Sequence, residues 1–152
     1  TPFDDHSIDY LNPLMSFYKI ASADITNIPF LRKIASIGKP VVLSTGASNY
    51  EEITSAINIM KDSGCRDIAL LHCILNYPTE LKNANLRMIQ GLIKTYPDHI
   101  IGYSDHTLPN GSMSSLVTAY LLGAVIIEKH FTDDKTLIKG AESHAGLLSS
   151  EE

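Results

Sequence analysis

The sequence predicts a parallel α/β protein. Short apolar runs of strand length recur roughly every 20 to 35 residues. The stretches between them carry helical periodicity with capping residues and glycine stops. Polar side chains, among them Lys19, Ser44, His72, His106 and His130, stand at or just past the C-terminal ends of the apolar runs. Strand, helix, strand with a polar residue at each strand end is the pattern of a parallel sheet covered by helices.

Taken in order, Thr1-Pro2-Phe3-Asp4 reads as the tail of a strand, and a short helix fits residues 7–14. Residues 17–22 read as a strand. Asn27 can cap the next helix, with Pro29 in its first turn and Gly38 just past its end. Residues 40–44 form a continuous apolar run, as expected of a strand buried on both faces. Thr45-Gly46 turns the chain, and Ser48 with Glu51 has the form of a capping box. That helix runs to about Ser63, before Gly64, with Ile53, Ile57 and Met60 as its apolar stripe. Residues 68–73 are the next strand, followed by the polar loop 76–80. Leu86, Ile89 and Ile93 recur at helical spacing, 100–103 is strand, 114–122 is helix ended by Gly123, and 125–129 is the last strand. The tail 132–152 is polar and has no strong period. Five strands at this spacing suit either a doubly wound sheet or part of a (β/α)8 barrel. The absence of a Gly-x-Gly-x-x-Gly or phosphate-loop motif weakens the first.

Bulk properties narrow the class. The 152 residues suffice for one domain with a core. With 44% hydrophobic and 19% charged residues the chain reads as globular, and a net charge of -5 gives no basic footprint for nucleic acid. Cys65 and Cys73 form no C-x-x-C pattern, which points to a reduced, cytoplasmic protein. No apolar run approaches the roughly 20 residues that span a bilayer, and the start lacks the apolar stretch of a signal peptide. The chain also starts without Met, so it is expected to be a piece of a longer one.

Several side chains can carry chemistry. Consecutive parallel strands usually lie side by side, so His106 and His130 should face one mouth, where two imidazoles can hold a metal; two unrelated strand caps are the bland alternative. Lys19, at the end of an apolar strand, can bind phosphate as a point charge or form a Schiff base; a snorkelling or salt-bridged lysine is the alternative. Ser22 and Ser104 can donate to a phosphate oxygen or simply shape loops. Asp24 and Glu142 can bind sugar hydroxyls or a proton, or be solvated carboxylates. Tyr77 can stack on a substrate or pack its loop. His72 reads as a packed strand residue, and His6 and His99 as surface residues.

Seven segments occur in a fixed order: Thr1-Pro2-Phe3-Asp4, Tyr18-Lys19-Ile20-Ala21-Ser22, Leu43-Ser44-Thr45-Gly46, Leu71-His72-Cys73, Asn76-Tyr77-Pro78-Thr79, Gly102-Tyr103-Ser104-Asp105-His106-Thr107 and Glu128-Lys129-His130-Phe131-Thr132. Together they closely resemble the sialic acid synthase family, the N-acetylneuraminate synthases and their relatives, over nearly the whole chain. The resemblance implies a (β/α)8 TIM barrel, of which residues 1–152 would be a partial catalytic domain from the end of strand 3 to strand 8. The first strands and a C-terminal antifreeze-like domain would be absent. It further implies a transferase that condenses phosphoenolpyruvate with N-acetylmannosamine or a related N-acetylated hexosamine, giving a nine-carbon 2-keto sugar acid and phosphate. His106 and His130 would bind a divalent metal, Mn²⁺ foremost, with Mg²⁺ or Co²⁺ as alternatives. Thr1, Lys19, Ser22, Ser104 and Asn76 would contact phosphoenolpyruvate, and Asp24, Tyr77 and Glu142 the sugar. The catalytic group would be His106, His130 and Lys19. The full-length protein would be a homodimer in which the C-terminal domain closes the partner's site.

Three departures bear on the sugar. A family Glu is Asp24 here, a family Asp is replaced by Glu142, and Leu75 stands where members often carry Asn or Ser. The donor half of the site therefore looks intact and the acceptor half altered. Within the family, a legionaminic or pseudaminic acid synthase, or a 9-phosphate synthase taking a phosphorylated sugar, is the alternative. Outside it stand a Schiff-base aldolase using Lys19 or Lys129, and a non-catalytic truncated barrel segment with no activity of its own. Under the synthase reading, too, residues 1–152 alone are expected to be inactive and only marginally folded, because an unclosed barrel leaves strand edges unpaired.

Overall fold

The computed structural model describes residues 1–132. These fall into two compact units, residues 1–71 and the part from residue 72 onward. Glu142 and His144 lie outside the described residues.

The first unit begins with α1 (Asp5–Leu11), which starts ahead of the expected 7–14 helix because the Asp4 carboxylate accepts from the Ser7 backbone N at 2.7 Å. β1 (Tyr18–Ile20) follows, then a 3-10 turn at Ser22–Asp24. α2 (Ile28–Ser36) is capped by Asn27, carries Pro29 in its first turn and buries Phe30, Leu31, Ile34 and Ala35. Gly38, at φ +76, takes the left-handed position beyond its end, as the sequence predicts. β2 (Val41–Ser44) leads to α3 (Tyr50–Asp62), whose buried stripe contains the predicted Ile53, Ile57 and Met60. The capping box is Asn49 with Glu52, one residue later than expected. Both frames fit the pattern; the Ser48 hydroxyl is instead drawn back onto Thr45 O at 2.8 Å. β3 (Ile68–His72) closes the unit. β1 pairs with β2, and β2 with β3, all parallel, with Lys19 opposite Val42 and Ser44 opposite Leu71.

The second unit continues through a loop with a cis Tyr77–Pro78 peptide to α4 (Met88–Thr95), β4 (Ile100–Asp105), α5 (Ser114–Leu121) and β5 (Ile126–Lys129). α4 buries Ile89 and Leu92, whereas Ile93 is 38% exposed, so the stripe turns by one position from the one expected. Gly123 ends α5 at φ +102, a backbone conformation that favours glycine; a Cβ there would meet only the movable tip of the exposed Ile93, 2.8 Å away. β4 and β5 are parallel, with Ser104 opposite Glu128 and Asp105 opposite Lys129. This pairing carries β4 two residues past the predicted end at Tyr103. Among the described residues no helix is long and apolar enough to cross a membrane.

Candidate active site

The paired strands β4 and β5 decide where the two histidines go. Residues opposite each other in a parallel ladder share a face, and neighbours along a strand alternate. Ser104 and Glu128 share one face, where the Ser104 hydroxyl donates to Glu128 Oε1 at 2.6 Å. His106 and His130 each come two residues further on. Their rings stand 5.4 Å apart at 60°. The Tyr77 ring covers them, 4.1 Å from His106 and edge-on to His130 at 5.9 Å. Its loop is tied to the same turn by Thr79 N donating to His106 O at 2.7 Å. The predicted convergence is therefore present, and Tyr77 joins it.

His106 Nδ1 lies 2.7 Å from Ile74 O. A carbonyl only accepts, so Nδ1 carries the proton and Nε2 presents its lone pair. That Nε2 is 3.5 Å from the Ser104 hydroxyl. Burial lowers the imidazole pKa, against the opposing pull of the Ile74 carbonyl and of Glu128 and Asp105. The ring is thus neutral near pH 7, the form that ligates a metal. A carbonyl fixing the remote ring nitrogen is also the usual second contact of a metal-bound histidine. The residues present fit a divalent ion in this respect. Among the described residues no group of three or more His, Cys, Asp and Glu side chains converges to hold one. Two imidazoles would leave the rest of the shell to substrate and water.

The opposite face of the ladder holds a charged network. Lys129 Nζ donates to Asp105 Oδ2 at 2.8 Å and to Thr107 O at 2.5 Å. Its side chain is 12% exposed and that of Asp105 2%. Burial pushes the Asp105 carboxyl up, but Lys129 and the hydrogen bonds from Thr107 and Tyr103 outweigh it and hold the pKa below the ordinary value. The Lys129 amine is thus engaged on the face away from Ser104 and Glu128. His72 is a packing residue, as the sequence indicates: it is buried, its Nε2 meets Ala84 O at 2.8 Å, and it stacks on Tyr103 at 5.8 Å. His99 is half-buried, edge-on to Tyr96 at 6.4 Å, rather than fully on the surface.

The other candidates divide between the units. Ser104, Asn76, Tyr77, His106 and His130 belong to the second, and Thr1, Lys19, Ser22 and Asp24 to the first. Lys19 is half-buried in β1 and donates to Ile20 O at 3.1 Å. Ser22 is buried at the start of the 3-10 turn. Asp24 Oδ1 accepts from Asn27 Nδ2 at 3.3 Å. Thr1 and Asn76 are exposed. Two groups that the sequence places at strand ends or in a motif have no role assigned there. Glu128 was visible as the first residue of Glu128-Lys129-His130, but its tie to Ser104 depends on strand register. Ser44 Oγ is buried and has no hydrogen-bond partner among the described residues. The register puts Val42 opposite Lys19, and Ser44, two residues on, shares that face.

The profile of the NeuB family matches residues 1–151. The chain belongs to the NeuB family. An N,N'-diacetyllegionaminic acid synthase from Campylobacter jejuni is 44% identical over 99% of this chain and 45% of its own length. An N-acetylneuraminate-9-phosphate synthase from Drosophila melanogaster is 40% identical over 97% of this chain and 39% of its own. The crystal structure of an N-acetylneuraminic acid (sialic acid) synthetase from Leptospira borgpetersenii, in complex with citrate, superposes with a TM-score of 0.87. It is 38% identical and covers 99% of this chain and 50% of that one. This NeuB chain thus spans less than half the length of the curated relatives it matches. Its fold is that of a (β/α)8-barrel segment with five parallel strands, as the sequence predicts.

Proposed function

We propose that the full-length NeuB protein containing this chain condenses phosphoenolpyruvate with an N-acetylated hexosamine, giving a nine-carbon 2-keto sugar acid and phosphate. The observation that carries the reading is the His106–His130 pair, 5.4 Å apart, with His106 Nε2 left open by the Ile74 carbonyl. In this reading His106 and His130 hold a divalent ion, Mn²⁺ first. When bound, the ion supplies Lewis-acid polarisation of the sugar's aldehyde oxygen. The chain's own side chains bind and orient. Lys19 offers a point charge to the phosphate of phosphoenolpyruvate, and Ser22, Ser104, Thr1 and Asn76 offer hydrogen bonds. Tyr77 covers the histidines and presents its ring to the sugar; burial, then the charges of Cys73 and Glu128, raise its pKa, which keeps the phenol protonated as a donor. Asp24 and Glu142 contact the sugar. C3 of phosphoenolpyruvate forms the bond to the aldehyde carbon, water adds at C2, and phosphate leaves with the bridging oxygen.

The experiment is phosphate release from phosphoenolpyruvate labelled with ¹⁸O at the bridging position, with a panel of acceptor sugars. Label in the phosphate is expected; label retained in the sugar acid contradicts the reading. A second acceptor has a specific observation in its favour. Two similar proteins, 44% and 40% identical, are N,N'-diacetyllegionaminic acid synthases, and Asp24 departs from the family residue at the sugar. A diacetamido hexose is therefore expected to be used at least as well as N-acetylmannosamine. Strong preference for N-acetylmannosamine over every diamino and phosphorylated analogue rejects that choice.

A further inference from the structure

We infer that Asp105 and Lys129 are positioning residues for His106 and His130. They form an ion pair behind the site that fixes the turn carrying His106 and so decides which ring nitrogen the site presents. The pair sits on the reverse side of the ladder from Ser104 and Glu128, so neither residue is placed to touch a substrate held by the histidines. Both are instead the immediate chain neighbours of the two imidazole-bearing residues.

The network grips the His106 turn from both sides. The Asp105 carboxylate accepts from Tyr103 OH at 2.8 Å, Thr107 N at 3.0 Å, Thr107 Oγ1 at 3.1 Å, Ser115 Oγ at 3.2 Å and Lys129 Nζ at 2.8 Å. Two of these donors belong to Thr107, and Lys129 holds the Thr107 carbonyl as well. The peptide units around His106 are thereby fixed by Asp105 on one side and by Thr79 N on the other. With its backbone held, the imidazole reaches Ile74 O through Nδ1 and leaves Nε2 on the side of Ser104, with the His130 ring 5.4 Å away. A buried ion pair is often no more stabilising than apolar side chains of the same volume, so stability alone does not account for one here. Geometry does, because ligand orientation tolerates little slack and outer-shell partners commonly control metal affinity.

The metal arm of the test rests on the function proposed above; the ring-tautomer arm does not. Full-length protein, metal-free and labelled with ¹⁵N-histidine, is expected to show His106 as a single Nδ1–H tautomer. Asp105→Asn and Lys129→Met are expected to give mixed tautomers at His106 and to weaken Mn²⁺ binding, followed by the electron paramagnetic resonance of free Mn²⁺, by about 10- to 100-fold. Should those variants not fold, Ser115→Ala removes a single donor, and a loss of about 2- to 5-fold is expected, the equivalent of one ordinary hydrogen bond. Ile89→Val, buried in α4 outside the network, is the control for general destabilisation and should change neither readout. An unaltered Nδ1–H tautomer in Asp105→Asn and Lys129→Met, or in Ser115→Ala where only that variant folds, overturns the inference even if melting falls. So does a shift of the same size in Ile89→Val, or a wild type without the single tautomer. A wild type with the single tautomer but no Mn²⁺ binding defeats the metal reading and leaves the positioning role to the tautomer arm.

Discussion

His72 ends β3 and His106 follows β4. Both are 5% exposed, both meet a main-chain carbonyl, and burial lowers the pKa of both. They differ in the nitrogen that the carbonyl takes. His72 spends Nε2 on Ala84 and lays its ring on Tyr103. His106 spends Nδ1 on Ile74, leaves Nε2 3.5 Å from the Ser104 hydroxyl, and stands with its ring 5.4 Å from that of a second histidine. Burial and residue type are the same at the two strand ends, although charged neighbours, Glu128, Asp105 and Lys129, act on His106 alone. The capacity for ligation is set by which end of the ring the fold consumes.

The largest effect should come from the site pair. In the full-length protein, His106→Ala or His130→Ala should lower metal-dependent phosphate release by more than about 100-fold, because losing a ligand exceeds the 10- to 100-fold typical of an outer-shell partner. Metal content of the purified variants checks this, and undiminished Mn²⁺ in both breaks the contrast. His72→Ala should do the reverse, keeping Mn²⁺ affinity while costing about 2–4 kcal/mol of stability through the cavity it leaves. Denaturant unfolding with a parallel Mn²⁺ titration measures both, and lost affinity at an unchanged unfolding midpoint would reject the packing role.

A smaller effect follows from protonation. The folded pKa of His72 lies below its unfolded value of about 6.5. The unfolded chain then binds more protons just below that pH. The contribution of His72 is therefore complete above about pH 6.5 and is lost as pH falls through the lowered folded value. His72→Gln keeps an N–H for Ala84 O and does not titrate there, so its unfolding midpoint should fall less between pH 7.5 and 5.5. Equal falls in wild type and variant would show that another group dominates. The smallest effect belongs to a third strand end. Ser44→Ala should leave stability within about 1 kcal/mol, since the hydroxyl has no partner to lose, yet raise the KM for phosphoenolpyruvate by about 2- to 10-fold if that hydroxyl serves the bound ligand. An unchanged KM would assign Ser44 to packing.

Legibility in the sequence followed the range of the interactions. Asn27, Gly38, Gly64 and Gly123 mark helix ends through local backbone demands, and each stands where expected. Ser48-x-x-Glu51 and Asn49-x-x-Glu52 satisfy one pattern equally, and a carbonyl at Thr45 chooses between them. Periodicity left a doubly wound sheet and a barrel segment both open; the ordered motifs pointed to the barrel. That His106 and His130 meet was readable, because successive parallel strands adjoin. The tautomer was not, because Ile74 lies 32 residues away. Nor was the division of Ser104–Glu128 and Asp105–Lys129 between two faces, which exists only once the register is set.

That register has a consequence for assembly. Sliding β5 along β4 by one residue in one direction sets the Asp105 carboxylate against the Glu128 carboxylate. Sliding it the other way sets Ser104 against Lys129 and leaves Asp105 facing His130. Either misthreading exchanges the faces of one strand and strands a charge away from water. In the native alignment each carboxylate instead meets a donor, Ser104 for Glu128 and Lys129 for Asp105. Two adjacent positions thus work as a key cut for a single pairing, so mispaired chains are penalised before any ligand is present to select among them.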